Sequence, residues 1–106
     1  MAKYLYIASY TPEGLKGLFK DGGSKRKDDL SAAVKELNGT LDTLHFAFGE
    51  KDVYSIVDLP DNVSAAAIAL KINASGAAKV KTVVLLTPEQ IDEATKVNVA
   101  YRPPGQ

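Results

Sequence analysis

The sequence predicts one α+β domain whose elements run β-α-β-β-α-β, closed by a short helix and an extended tail. Three observations predict it. Four segments of strand character lie at 3–10, 40–48, 52–59 and 78–86, and the middle two are joined only by Gly49-Glu50-Lys51-Asp52. The two long gaps carry apolar residues at helical period. Each gap opens on a capping residue and closes on glycine. A length of 106 residues fits a single domain, with its core at about 3–86 and a C-terminal helix and tail at 87–106.

The first strand, KYLYIASY, alternates Leu5 and Ile7 against Tyr4, Tyr6 and Tyr10. Thr11-Pro12-Glu13 then supplies an N-cap, a proline for the first helical position and an acid for the positive end of the helix dipole. Leu30, Ala33, Val34 and Leu37 mark helix as far as the Asn38-Gly39 stop. Gly22-Gly23 suggests a break, with Ser24 capping a second helix. However, Leu15, Leu18, Phe19, Gly22, Arg26, Leu30, Ala33 and Leu37 keep one helical phase across the glycines, which favours one kinked helix from Pro12 to Leu37. The second strand sets Leu41, Leu44, Phe46 and Phe48 against Thr43, His45 and Ala47, and it forms a hairpin with the third. Pro60-Asp61-Asn62 caps an Ala-rich helix that stops at Gly76. The fourth strand follows. Thr87-Pro88-Glu89-Gln90 is a capping box for a short helix to about Lys96, and Tyr101-Arg102-Pro103-Pro104-Gly105 is extended. This order is the split βαβ, or ferredoxin-like, pattern: a two-layer sandwich with two helices on one face of a four-stranded antiparallel sheet.

Composition narrows the function. Thirteen Lys and Arg balance 13 Asp and Glu, so the basic field that nucleic acids and membrane surfaces need is missing. With no cysteine and one histidine, disulfides, thiolate chemistry and a transition-metal site within one chain are not expected. Met1 to Tyr10 alternates where a secretory signal would run apolar, and no segment has the length of a membrane helix. A cytoplasmic protein is expected.

A two-layer domain leaves one sheet face uncovered, and in water that face should be polar. Here both faces of the strands are apolar, which calls for a cover. The economical cover is a second copy in a sheet-to-sheet dimer. The Ala-rich helix is also apolar on two sides, with Val63, Ala66, Ala67, Leu70 and Ala74 on one and Ala65, Ile68, Ala69 and Ile72 on the other. Either a second copy or the chain's own C-terminal tail would cover Ile68 and Ile72.

Gly49-Glu50-Lys51-Asp52, VYSIVDLP ending at Pro60, SAAAIAL, Gly76 and VKTVVLL together resemble the GYD domain family. Its members carry a Gly-x-x-Asp hairpin turn, an apolar strand ending in Pro, an Ala-rich helix, a Gly, and a strand rich in Val and Thr. Lys51 stands where the family usually has Tyr. The resemblance implies a dimeric α/β barrel of the ferredoxin-like group, whose relatives include monooxygenases, haem-binding peroxidases, isomerases and ligand-sensing domains. It implies no particular activity.

The candidate site residues each carry a plain structural reading beside the functional one. Arg26, close to where the family tends to have an Arg, could hold a ligand carboxylate or phosphate in a cleft between helix and sheet, or simply reach outward or pair with Asp29 or another carboxylate. His45 could act as a general base, or lie at a surface or interface. The pairing register decides whether it shares a face with Tyr4 and Tyr6. Asp52 could be an acid or base at a barrel mouth, though Asp at such a turn more often accepts backbone hydrogen bonds beside a glycine of positive φ. Tyr4, Tyr6, Tyr10 and Tyr54, with Lys79 and Lys81, could line the covered face around a small ligand or serve as interface anchors. Arg26, Tyr6, Tyr54 and Lys81 are thus the ligand-binding candidates, and no cofactor is called for. The leading expectation is a homo-oligomer with a small-ligand cavity between paired sheets. The alternatives are a cofactor-free monooxygenase or isomerase, and an assembly module whose tail docks on a neighbouring subunit.

Overall fold

The computed structural model describes residues 1–106. Its elements are β1 (Ala2–Tyr10), α1 (Pro12–Asp21), α2 (Gly23–Glu36), β2 (Thr40–Phe46), β3 (Val53–Leu59), α3 (Asn62–Ser75), β4 (Ala78–Leu85) and α4 (Pro88–Ala94). The strands form one antiparallel sheet in the order β2-β3-β1-β4, compatible with the expected ferredoxin-like arrangement.

The kinked single helix does not form. Gly22 takes φ 82° and ψ 169°, a conformation that favours glycine, and α1 ends there as its N–H reaches Leu18 O at 2.7 Å. α2 starts again from Gly22 with no side-chain cap, so Ser24 does not cap it. The shared phase across the glycines was misleading: Leu15 is 42% exposed and Phe19 is 91% exposed. Helical period is also what a surface helix of mixed composition produces by chance.

The core lies between the sheet and the helices. Tyr4, Tyr6, Val34, Val57, Leu59, Ala65 and Ile68 form it, with Leu30, Leu37, Leu41 and Ile72 packed against its edge. Two phenols tie the layers together. Tyr4 donates to Asn62 Oδ1 at 2.6 Å, and Tyr6 donates to the Ala65 carbonyl at 2.7 Å, so the first turns of α3 are fixed over β1. Asp61 caps that helix by accepting from Ser64 N, and the bond holds its carboxyl below the usual range. Thr11 caps α1 and also donates to Gly76 O at 2.7 Å, which joins the start of α1 to the turn after α3. At Gly39 a side chain would strike the Asp58 carbonyl, Leu59 Cδ2 at 2.7 Å and Val34 Cγ1 at 2.9 Å, so this close crossing of α2 over β3 requires glycine.

Register settles the faces. Leu41, Leu44 and Phe46 pair with Val57, Ser55 and Val53, on the helix side. Leu41 and Leu44 are three apart, which simple alternation forbids, and a bulge between Leu41 and Thr43 restores their common face. Tyr4, Tyr6, Ala8 and Tyr10 are opposite Val84, Thr82, Val80 and Ala78 on the same side. The tyrosines of β1 therefore face the helices, and the expectation that they line the uncovered face is wrong. Leu5 and Ile7 lie there instead. On α3 it is Ala65, Ile68, Ala69 and Ile72 that pack on the sheet, while Val63 and Leu70 stay 78% and 68% exposed. The chain's own sheet, not its tail, covers Ile68 and Ile72.

Candidate functional site

Two sites emerge, one on each side of the sheet. On the helix side, the diverging α2 and α3 leave a cleft of about 590 Å³. Leu30, Ala33 and Leu37 of α2 form one wall, and Ile68 and Ile72 of α3 form the other. Val53 and Val80 lie in its floor with Ser55 and Tyr6. Ser55 is 1% exposed and is the one polar residue in the helix-facing row Val53, Ser55, Val57, Leu59. A buried polar residue breaking an apolar row is a signal that sequence reading could have used, and it went unnoticed. Burial, and next the neighbouring Tyr4, push the Tyr6 phenol up to about 12, so it remains a hydrogen-bond donor at any physiological pH. Tyr10, at the same side, is raised by burial as well, with Arg26 opposing the shift.

Arg26 is at the mouth of this cleft. Its guanidinium lies 3.6 Å from Asp21 and 3.5 Å from Asp29, so the plain reading of an ion-paired Arg describes it. Asp29 also accepts from Lys25 at 2.8 Å, and that bond holds its carboxyl low. The mouth is thus a network of alternating charge, not a free cation awaiting an anion.

The opposite face is uncovered and has three zones. At one end Lys3 donates to Asp42 at 2.5 Å and to Asp58 at 3.0 Å, and these carboxylates hold its ammonium above the usual lysine range. The middle is apolar: Thr43, Ile56, Leu5 and Val83 are directly opposite one another across the four strands. Next to them runs the row His45, Tyr54, Ile7, Lys81. Side chains opposed in this way are about 5 Å apart at Cβ. Three sequence candidates, His45, Tyr54 and Lys81, therefore share one row of the uncovered face. The other two ligand candidates, Tyr6 and Arg26, belong to the cleft on the far side. The predicted site is in fact two sites.

Asp52 belongs to neither. Its carboxylate accepts from Tyr10 N at 2.8 Å, and its backbone N–H donates to Ala8 O at 2.9 Å, which seats the hairpin loop on β1. Gly49 does not adopt the positive φ expected of it. No group of three His, Cys, Asp or Glu side chains converges.

The family model of the GYD domain matches residues 4–95. The chain belongs to the GYD domain family. No curated protein and no solved structure matches it significantly. The match takes in β1 from Tyr4 onward, the other three strands, the cleft and most of the uncovered face of this GYD domain, and stops just beyond α4. No helix of the GYD domain is long and apolar enough to cross a membrane.

Proposed function

We propose that this GYD domain is a cytoplasmic, homo-oligomeric binder of a small, mostly apolar molecule. One observation carries the reading: the apolar cleft of about 590 Å³ between α2 and α3 has a size and lining typical of small-ligand sites. Ser55 supplies the hydroxyl of its floor, the Tyr6 phenol being already donated to the Ala65 carbonyl, which suits a ligand with a single hydroxyl or carbonyl. A second copy covers the uncovered face, because the row Ile56, Leu5, Val83 would otherwise keep aliphatic side chains in water. Sheet pairing also closes a chamber against His45, Tyr54 and Lys81, where the sequence reading placed the ligand.

Nile red, a neutral apolar dye, tests the cleft. Bound dye should fluoresce strongly with the native chain, and Ile72→Trp, which fills the cleft from α3, should abolish the signal. Unchanged fluorescence in a folded Ile72→Trp variant would remove the cleft from consideration. Native mass spectrometry of protein purified from cells tests the assembly, with an oligomer carrying extra mass as the expected result and a bare monomer as the contrary one.

The row His45, Tyr54, Lys81 favours a second reading, a cofactor-free isomerase or monooxygenase acting in the chamber. There His45 would take a proton from the substrate and Lys81 would stabilise the resulting anion. Under this reading His45→Ala ends turnover of the retained molecule without releasing it. Under the binding reading it changes nothing.

A further inference from the structure

We infer that the ligand of the cleft is a flat ring carrying one hydrogen-bonding oxygen, seated on Ala8 between Tyr6 and Tyr10. This rests on the cleft reading above and names the chemical class that the cleft takes. The helix-facing residues of β1 are Tyr4, Tyr6, Ala8 and Tyr10, so Ala8 interrupts a row of phenols. β1 is an inner strand, and the core lies on its helix side. There Tyr4 and Tyr6 are 1% and 2% exposed, whereas Ala8 is only half-buried. The space above Ala8 is the cleft itself: Ala8 and its cross-strand neighbours Val53 and Val80 all line it.

The gap has the dimensions of a ring. Four residues of strand put Tyr6 and Tyr10 about 13 Å apart, with Ala8 midway. A ring on Ala8 therefore stands about 6.5 Å from each phenol along the strand, within the roughly 4.5–7 Å at which aromatic rings pair. Tyr6 does not swing aside to admit a longer body in that direction, because its phenol is bonded to the Ala65 carbonyl at 2.7 Å.

Ser55 supplies the polar contact. It is 1% exposed, lies in the cleft floor and is diagonal to Ala8, since Ser55 pairs with Tyr6 and Val53 with Ala8. Every side-chain polar atom sealed from solvent is hydrogen-bonded within the chain. The Ser55 hydroxyl has no such bond, so it is the part of Ser55 that opens on the cleft. A hydroxyl or carbonyl on the edge of the ring that faces β3 completes it.

Displacement of Nile red from the full-length chain tests this, with 2-naphthol, 2-methylnaphthalene and 1-octanol as competitors. 2-Naphthol should displace the dye at about tenfold lower concentration than 1-octanol, an open chain with the same polar group. Ser55→Ala should weaken 2-naphthol about fivefold and leave 2-methylnaphthalene unchanged. Ala8→Phe, which supplies a ring from the chain itself, should exclude both naphthalenes. Equal displacement by 1-octanol and 2-naphthol would overturn the inference, as would a 2-naphthol affinity that Ser55→Ala leaves unmoved. Dye that binds the native chain and yields to 1-octanol but not to 2-naphthol keeps the cleft and removes the ring. Failure of the native chain to bind the dye at all removes the cleft reading, and the ring with it.

Discussion

The two faces of the sheet are built by alternate residues of the same strands and have opposite characters. On the helix side Tyr4, Val57 and Leu59 are at most 1% exposed, and the phenols of Tyr4 and Tyr6 each end on an acceptor in α3. On the other side Leu5, Ile7, Ile56 and Val83 are only half-buried, held between an ionic lock at Lys3 and a polar row at His45. The first face is covered by the chain's own helices except at the cleft, and its two phenols are bonded to α3. The second is incomplete, with aliphatics in the middle and charge only at the border, the layout of an interface core with its rim. Hydrophobicity does not separate the two faces. What separates them is whether the chain's own helices cover the face.

The sharpest way to break this comparison is to make the same truncation on both faces. Leu59→Ala removes a fully buried side chain and should cost about 2–5 kcal/mol of unfolding free energy in urea denaturation. Leu5→Ala, at the centre of the uncovered face, should cost under half as much when measured on dilute, dissociated chains. Equal costs would mean that the two faces are alike in the single chain. A smaller thermodynamic but larger assembly effect is expected from Ile7→Asp. Its carboxylate is tolerable beside Tyr54 and Lys81 in one chain and is buried unpaired once two faces meet. Sedimentation should show loss of the oligomer, with the far-ultraviolet circular dichroism unchanged.

Much of this fold was legible in the sequence, because the deciding signals are local. Thr11-Pro12, Asp61-Asn62, Gly76 and the Thr87 capping box mark helix ends through backbone hydrogen bonds that span only a few residues, and all four stand where expected. What failed depends on long-range choices. Alternation in KYLYIASY separates tyrosines from aliphatics but does not say which set faces the helices. That is decided by Asn62 and the Ala65 carbonyl, about 60 residues away, which accept the two phenols. The break at Gly22 likewise rests on one φ angle, invisible to a periodicity that ran through it. His45, Tyr54 and Lys81 were named separately, and only the register brought them into one row. Arg26 pointed to a cleft between helix and sheet, but the rest of its lining was not legible, since a cavity is a gap between elements and not a property of any one of them.

The smallest effect concerns a bond that ties α3 over the helix side. Tyr6→Phe removes the donor to the Ala65 carbonyl and should cost about 1 kcal/mol at neutral pH. Its pH dependence identifies the group. The Tyr6 phenol has an ordinary value of 10.0 and is pushed up to about 12 in the folded chain, so folding favours the protonated form. The stability it contributes is therefore complete below about pH 10 and is lost as the pH rises through 12. Urea midpoints measured from pH 9 to 12 should fall for the native chain and fall less steeply for Tyr6→Phe. Some slope should remain in the variant, because burial raises Tyr10 in the same direction.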